Sequence, residues 1–133
     1  MTILTDRKLA SPIPSPETTA FWDAAKEGRF ILRFCKACNR THWYPRTICP
    51  HCASPDTEWR DASGTGEIHA FSVMARADPP YVVAFVTLAE GPTMLTNLVE
   101  CDPDALAIGQ SVEVVFKDTE TGMKLPMFRP RGI

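Results

Sequence analysis

Two cysteine pairs carry the plainest chemistry in this chain: Cys35-Lys-Ala-Cys38 and Cys49-Pro-His-Cys52, with ten residues between them. Two residues between thiols let both sulfurs of a knuckle turn toward one ion, and two knuckles complete a tetrahedron of four thiolates. Two disulfides would need an oxidising compartment, and Asp6, Arg7 and Lys8 interrupt any apolar core of a signal peptide in MTILTDRKLA. A thioredoxin-type redox pair would open a helix in an α/β unit, whereas both pairs here sit among turn and strand residues. The pattern therefore predicts one structural metal at Cys35, Cys38, Cys49 and Cys52. Zinc suits a closed tetrahedron of thiolates, and iron in a rubredoxin-like site would use the same ligands. Four cysteines leave no open coordination position. The roughly 25–30 residues around them are too few to bury a core, so metal binding and folding are expected to be coupled.

Other reactive groups give weaker signals. His51 lies inside the second knuckle, where four thiols already saturate an ion, and His42 and His69 are isolated, so each reads as a surface or satisfied histidine. Cys101 has no neighbouring cysteine or base and reads as a spare thiol. Asp102 and Asp104 flank Pro103 in a turn, the ordinary setting of solvated carboxylates. G-x-S-x-G, HExxH and phosphate-loop motifs are all missing from the sequence. No residue is assigned a catalytic role, and the expectation is that the chain is not an enzyme on its own.

The elements that position the cysteines follow from periodicity and punctuation. The chain has 133 residues, enough for one compact domain or two small modules. Residues 1–14 read as a loose tail. Ser15 as N-cap, Pro16 at the first helical position and Gly28 beyond the end predict a helix over 16–27. Its face of Ala20, Phe21 and Ala24, with Trp22 beside it, needs a cover. FILRF at 30–34 reads as a strand leading into the first knuckle. Strand signals then recur at 57–61, 66–75, 81–89, 93–99, 111–117 and 123–128, with a short helix or turn at 102–108. The five from residue 66 onward match the strand count of an oligonucleotide/oligosaccharide-binding (OB) barrel, with Phe71, Tyr81 and Phe85 expected in its core. The fold class is thus mainly β: an N-terminal tail and helix (1–29), a rubredoxin-like zinc ribbon (30–62), and a small five-stranded OB-type barrel with a C-terminal tail (63–133). The longest apolar run, 81–86, is six residues, where a membrane-spanning helix takes about 18 or more. A cytoplasmic protein is expected.

With helix, ribbon and barrel in that order, the sequence resembles the acyl-CoA-associated zinc-ribbon/OB family known as domain of unknown function 35. The matching residues are Phe21-Trp22 with Gly28, Cys35 and Cys38, and Pro45-Arg46 leading to Cys49-Pro50-x-Cys52. Gly64-x-Gly66, Asp104-Ala-Leu-Ala-Ile-Gly109 with Val112-Glu113, and Leu125-Pro126-x-Phe128-Arg129-Pro130 follow. The resemblance covers about residues 16–130. It implies an accessory subunit that binds a thiolase-like or hot-dog hydratase-like partner acting on acyl-CoA thioesters, with the chemistry on a separate chain. It also implies a part in shaping the CoA or substrate channel.

Charge suggests where such contact would occur. Residues 1–60 carry nine Lys/Arg against six Asp/Glu, and residues 61–133 five against ten, within a net charge of −2. Lys26, Arg29, Arg33, Lys36, Arg40 and Arg46 are opposed only by Glu27 in their stretch. Arginine meets phosphate oxygens bidentately, so Arg33, Arg40 and Arg46 are the candidates for CoA phosphate contacts. The alternative, a nucleic-acid-binding ribbon and OB module, needs a positive groove with exposed aromatics. The acidic barrel half argues against it.

Overall fold

The computed structural model describes residues 9–131. One helix, α1 (Thr19–Lys26), precedes a three-stranded sheet of β1 (Ile31–Cys35), β2 (Arg40–His42) and β3 (Thr57–Asp61), in the antiparallel order β2-β1-β3. Five strands follow: β4 (Thr65–Met74), β5 (Tyr81–Leu88), β6 (Thr93–Leu98), β7 (Ser111–Asp118) and β8 (Lys124–Pro130). They close into a barrel in the order β4-β5-β6-β8-β7, the five-stranded closure of an OB fold. The region expected to turn or coil at 102–108 holds a single 3-10 turn, Pro103–Ala105, capped by the Asp102 carboxylate, which accepts from the Asp104 amide. Among the described residues no helix is long and apolar enough to cross a membrane.

Alternation builds the barrel core. Val82, Ala84, Val86 and Leu88 of β5 and Met94, Thr96 and Leu98 of β6 point inward, the period-2 burial of a half-wetted sheet. Gly66 permits the tight β4–β5 pairing at the barrel's start: an added Cβ would lie 2.6 Å from the Thr87 carbonyl oxygen. The extra residue of the bulge between Ile68 and Ala70 is His69, which turns outward, while Ile68 bonds to the 109–110 loop through Gln110 O and Gly109 N.

Phe21 joins the parts. It is 1% exposed and meets Trp22, Phe30 and Trp43 edge-on at 5.0, 6.0 and 5.2 Å. Phe30 continues the chain of rings into the barrel through Phe116 and Phe128. The apolar helix face is therefore covered by the chain's own ribbon and barrel.

Several local expectations are corrected. The helix starts at Thr19 rather than 16, because Ser15 turns back on itself: its carbonyl accepts from the amides of Thr18 and Thr19. The tail expected at 1–14 is anchored from residue 9, with Leu9 buried against Val99 and Met127, and the Ser11 hydroxyl donating to Thr119 Oγ1. Residues 1–8 lie outside the described residues. Phe85 was expected in the core but is 47% exposed, opposite the equally outward Leu95. Phe71 does pack against the core, half-buried.

Candidate metal centre and the seam beside it

Both knuckles fold the same way. Asn39 N–H donates to the Cys35 carbonyl at 2.8 Å and Ala53 N–H to the Cys49 carbonyl at 2.9 Å, so each CxxC closes in a turn one residue past its second cysteine. That closing residue is left-handed in both, with φ of 58° at Asn39 and 65° at Ala53. Asn tolerates this conformation; Ala adopts it at a cost met by the surrounding structure.

The turns bring the four Sγ atoms within 4.8 Å of one another. Cys35 and Cys52 stand 3.6 Å apart and Cys38 and Cys49 3.8 Å. A tetrahedron with metal–sulfur bonds of about 2.3 Å has edges of about 3.8 Å, so the donor set fits a four-thiolate ion. The thiols also behave as a coupled group. Burial pushes Cys38 up to about 12, helped by its hydrogen bonds to the other three sulfurs. Burial pushes Cys49 up as well, but the amides of Cys52 and His51 and the neighbouring thiols outweigh it and bring Cys49 down to about 7. A bound cation would take the place of protons in such a thiol cluster. Cys101 stays apart, buried, with its thiol pushed up by desolvation and by Asp102.

The three arginines expected to meet phosphate do not share one fate. Arg33, half-buried, lies over the Trp59 ring at 4.9 Å and donates to the Thr57 hydroxyl; burial pushes its guanidinium down, against the pull of Glu17. Arg46 is exposed, with its guanidinium 5.9 Å from the Tyr44 ring. Arg40 is exposed on a different wall, in a cleft of about 570 Å³ between the ribbon and the β5–β6 turn. Glu17, just before the helix, holds the segment leading into the second knuckle, accepting from the Thr47 amide at 2.8 Å and its hydroxyl at 3.1 Å.

Sequence reasoning missed what lies beside the metal ligands. His42, read as a surface or satisfied histidine, is 1% exposed. Its Nε2 donates to the Arg46 carbonyl at 3.2 Å, which leaves Nδ1 a buried acceptor without a partner among the described residues. Desolvation holds this imidazole below its usual range, outweighing the bond to Arg46. Glu90, in the β5–β6 turn, accepts from the Ser63 amide through Oε2, while its buried Oε1 has no partner among the described residues. Nothing in the sequence around Glu90-Gly91-Pro92 marks that residue as more than a turn.

Comparison with known proteins agrees with this architecture. Residues 22–58 match the ChsH2 rubredoxin-like zinc ribbon domain, and residues 59–117 match the ChsH2 C-terminal OB-fold domain. A probable enoyl-CoA hydratase alpha subunit of Thermomonospora curvata is 37% identical over 95% of this chain. The chain spans 42% of that relative's length. A DUF35 domain-containing scaffold protein of Methanothermobacter thermautotrophicus is 39% identical over 62% of the chain and 68% of the relative. Among solved structures, a chain of the Ltp2-ChsH2(DUF35) aldolase superposes with a TM-score of 0.79 at 34% identity, covering 90% of this chain and 98% of that one. With the paired knuckles, the closed barrel and both domain matches in sequence order, the chain belongs to the DUF35 family of zinc-ribbon and OB-fold proteins.

Proposed function

We propose that this chain is a non-catalytic scaffold subunit that binds a thiolase-like or hydratase-like enzyme acting on acyl-CoA thioesters. The match to one chain of a two-component aldolase carries this reading, and the scaffold naming of archaeal relatives supports it. In this reading Cys35, Cys38, Cys49 and Cys52 hold a structural zinc, whose role is to close the ribbon. On the same reading helix, ribbon and barrel divide at residues 29/30 and 62/63, a division supported by the pairing of β3 with β1 through Asp61 and by β4 starting at Thr65. In this reading the ribbon faces the partner's CoA and Arg33, Arg40 and Arg46 are its candidate phosphate contacts, Arg40 and Arg46 being exposed and Arg33 half-buried over Trp59.

Co-expression with a thiolase-like or hydratase-like chain encoded beside this one, followed by affinity capture and a CoA-ester turnover assay, tests the proposal. A stable complex whose turnover falls when Arg46→Ala replaces the parent supports it. A partner that is fully active alone and does not bind this chain at micromolar concentration refutes it.

A further inference from the structure

Burial sorts the four cysteines of the metal centre into an inner and an outer pair. Cys35 and Cys49 are 0% and 1% exposed, Cys38 is half-buried, and Cys52 stands exposed. The Cys49 sulfur is shielded further by the His51 amide, which donates to it at 3.3 Å. The closest sulfurs belong to different knuckles: Cys52 faces Cys35 at 3.6 Å, and Cys38 faces Cys49 at 3.8 Å. A disulfide bond is about 2.05 Å long, so a shift of about 1.5 Å joins the exposed sulfur to a buried one across the knuckles. Susceptibility of cysteine to oxidants follows thiolate character and solvent access. Metal ligation keeps all four sulfurs as thiolates, which leaves access to decide among them.

We propose that the ribbon is a peroxide-sensitive switch in which Cys52 meets the oxidant and Cys35 resolves it. The inference rests on the structural zinc of the preceding reading and on no part of the partner assignment. The Cys52 thiolate attacks one oxygen of the peroxide; the O–O bond breaks and hydroxide leaves, so Cys52 becomes a sulfenic acid. The Cys35 thiolate then attacks that sulfur, and the S–S bond forms as the S–O bond breaks and a second hydroxide leaves. Two electrons pass from the two sulfurs to the peroxide, and two protons from solvent turn both hydroxides into water. Cys38 and Cys49 alone cannot complete a site of four ligands, so the ion is released. The bridge ties the end of β1, at Cys35, to the second knuckle, and a thiol reductant opens it again. Cys101, buried and outside the four-sulfur cluster, takes no part.

Hydrogen peroxide added to the full zinc-loaded chain tests this, with zinc release followed by a metal-sensitive dye and disulfides located by peptide mass mapping. The expected first product is a Cys35–Cys52 bridge that forms in step with loss of about one zinc per chain, reversed by dithiothreitol and fresh zinc. Trapping of sulfenic acid with dimedone should mark Cys52 ahead of every other cysteine by at least about tenfold. Cys52→His keeps a fourth zinc ligand and removes the exposed sulfur, so peroxide should release its zinc at least about tenfold more slowly. Where that variant loses its metal, the map of the parent decides. Cys101→Ser should release zinc like the parent. A first bridge within a knuckle, Cys35–Cys38 or Cys49–Cys52, overturns the proposal, as does sulfenic acid appearing first at any cysteine other than Cys52, or zinc retained while peroxide consumes Cys101. Those failures leave zinc binding intact, whereas a chain that binds no zinc refutes the metal reading and this inference together. The scaffold reading is judged separately by capture of the partner.

Discussion

Replacing Phe21 by alanine should loosen three parts of the molecule together. The ring is 1% exposed and contacts Trp22, Phe30 and Trp43, so its removal leaves a cavity bordered by helix, ribbon and barrel. Core Phe→Ala changes cost roughly 3–5 kcal/mol, the transfer loss plus the cavity left behind, and each lost edge-to-face pair adds about 0.5–1.5 kcal/mol within that range. Stiff neighbouring rings on several sides limit collapse into the space, which places the expectation at about 4 kcal/mol. For a chain of this size that corresponds to a fall in Tm of roughly 10–20 °C. Phe85→Ala is the control: the same atoms are deleted from a side chain that is 47% exposed on the outer barrel face, and the cost should stay within about 1 kcal/mol. Urea and thermal unfolding of both variants, with metal retained, make the comparison. A Phe21→Ala loss no larger than that of Phe85→Ala would refute the view that the aromatic seam holds the parts together.

Cys49→Ser, or chelation of the parent, should reduce bound zinc from about one per chain and collapse the dispersed amide resonances of residues 31–61; full metal content with an unchanged spectrum would contradict the four-thiolate site. Lys117, with Arg129 assisting and desolvation opposing, holds the Glu100 carboxyl below its ordinary range. Its contribution is complete above the unfolded carboxylate pKa of about 4.3 and is lost as pH falls through the lower folded value, so Glu100→Gln should flatten the acid limb of a stability–pH profile below about pH 5. Gly64→Ala should cost about 2–3 kcal/mol, because φ is +76° and the new Cβ would sit 2.5 Å from Val114 Cγ1. Gly28→Ala, at φ +77° with open space around it, should cost only about 1 kcal/mol, as read by chemical denaturation.

The gathering of the four cysteines was legible because its determinant is local: two residues between thiols fix a knuckle whatever surrounds it. The barrel strands were legible where one face is wet, as in β6, whose buried Met94, Thr96 and Leu98 alternate with outward residues. Tyr81-Val-Val-Ala-Phe-Val86 hid its outward face, since a continuous apolar run has no period to read. That is why Phe85 looked like core. β2 escaped notice because Arg40-Thr41-His42 is short and polar, and only pairing with β1 makes it a strand. Ser15 looked like a helix cap on residue type alone, yet Thr18 follows within reach of its amide and takes the hydrogen bond. The arginines are neighbours in composition, but Arg33 lies over Trp59, Arg46 beside Tyr44, and Arg40 opens on the cleft. Charge counting gives no such directions.

The metal site and the cleft are parts of one construction. β2 lies on the segment between the two knuckles and carries Arg40 and His42, while His51 sits inside the second knuckle. The ribbon wall of the cleft is thus positioned by the thiolates through strand β2 and two tight turns. Glu90 belongs to the barrel, whose closure depends on strand pairing and a buried core rather than on the cysteines. Losing the ion would free one wall and leave the other in place. An ion held by the four cysteines would therefore fix the orientation of one wall against the other without itself touching the cleft. The Phe21 ring cluster completes the arrangement, since ordering the ribbon internally does not by itself set its position on the barrel. Metal coordination would supply the internal order of the ribbon, and the aromatic seam supplies its placement.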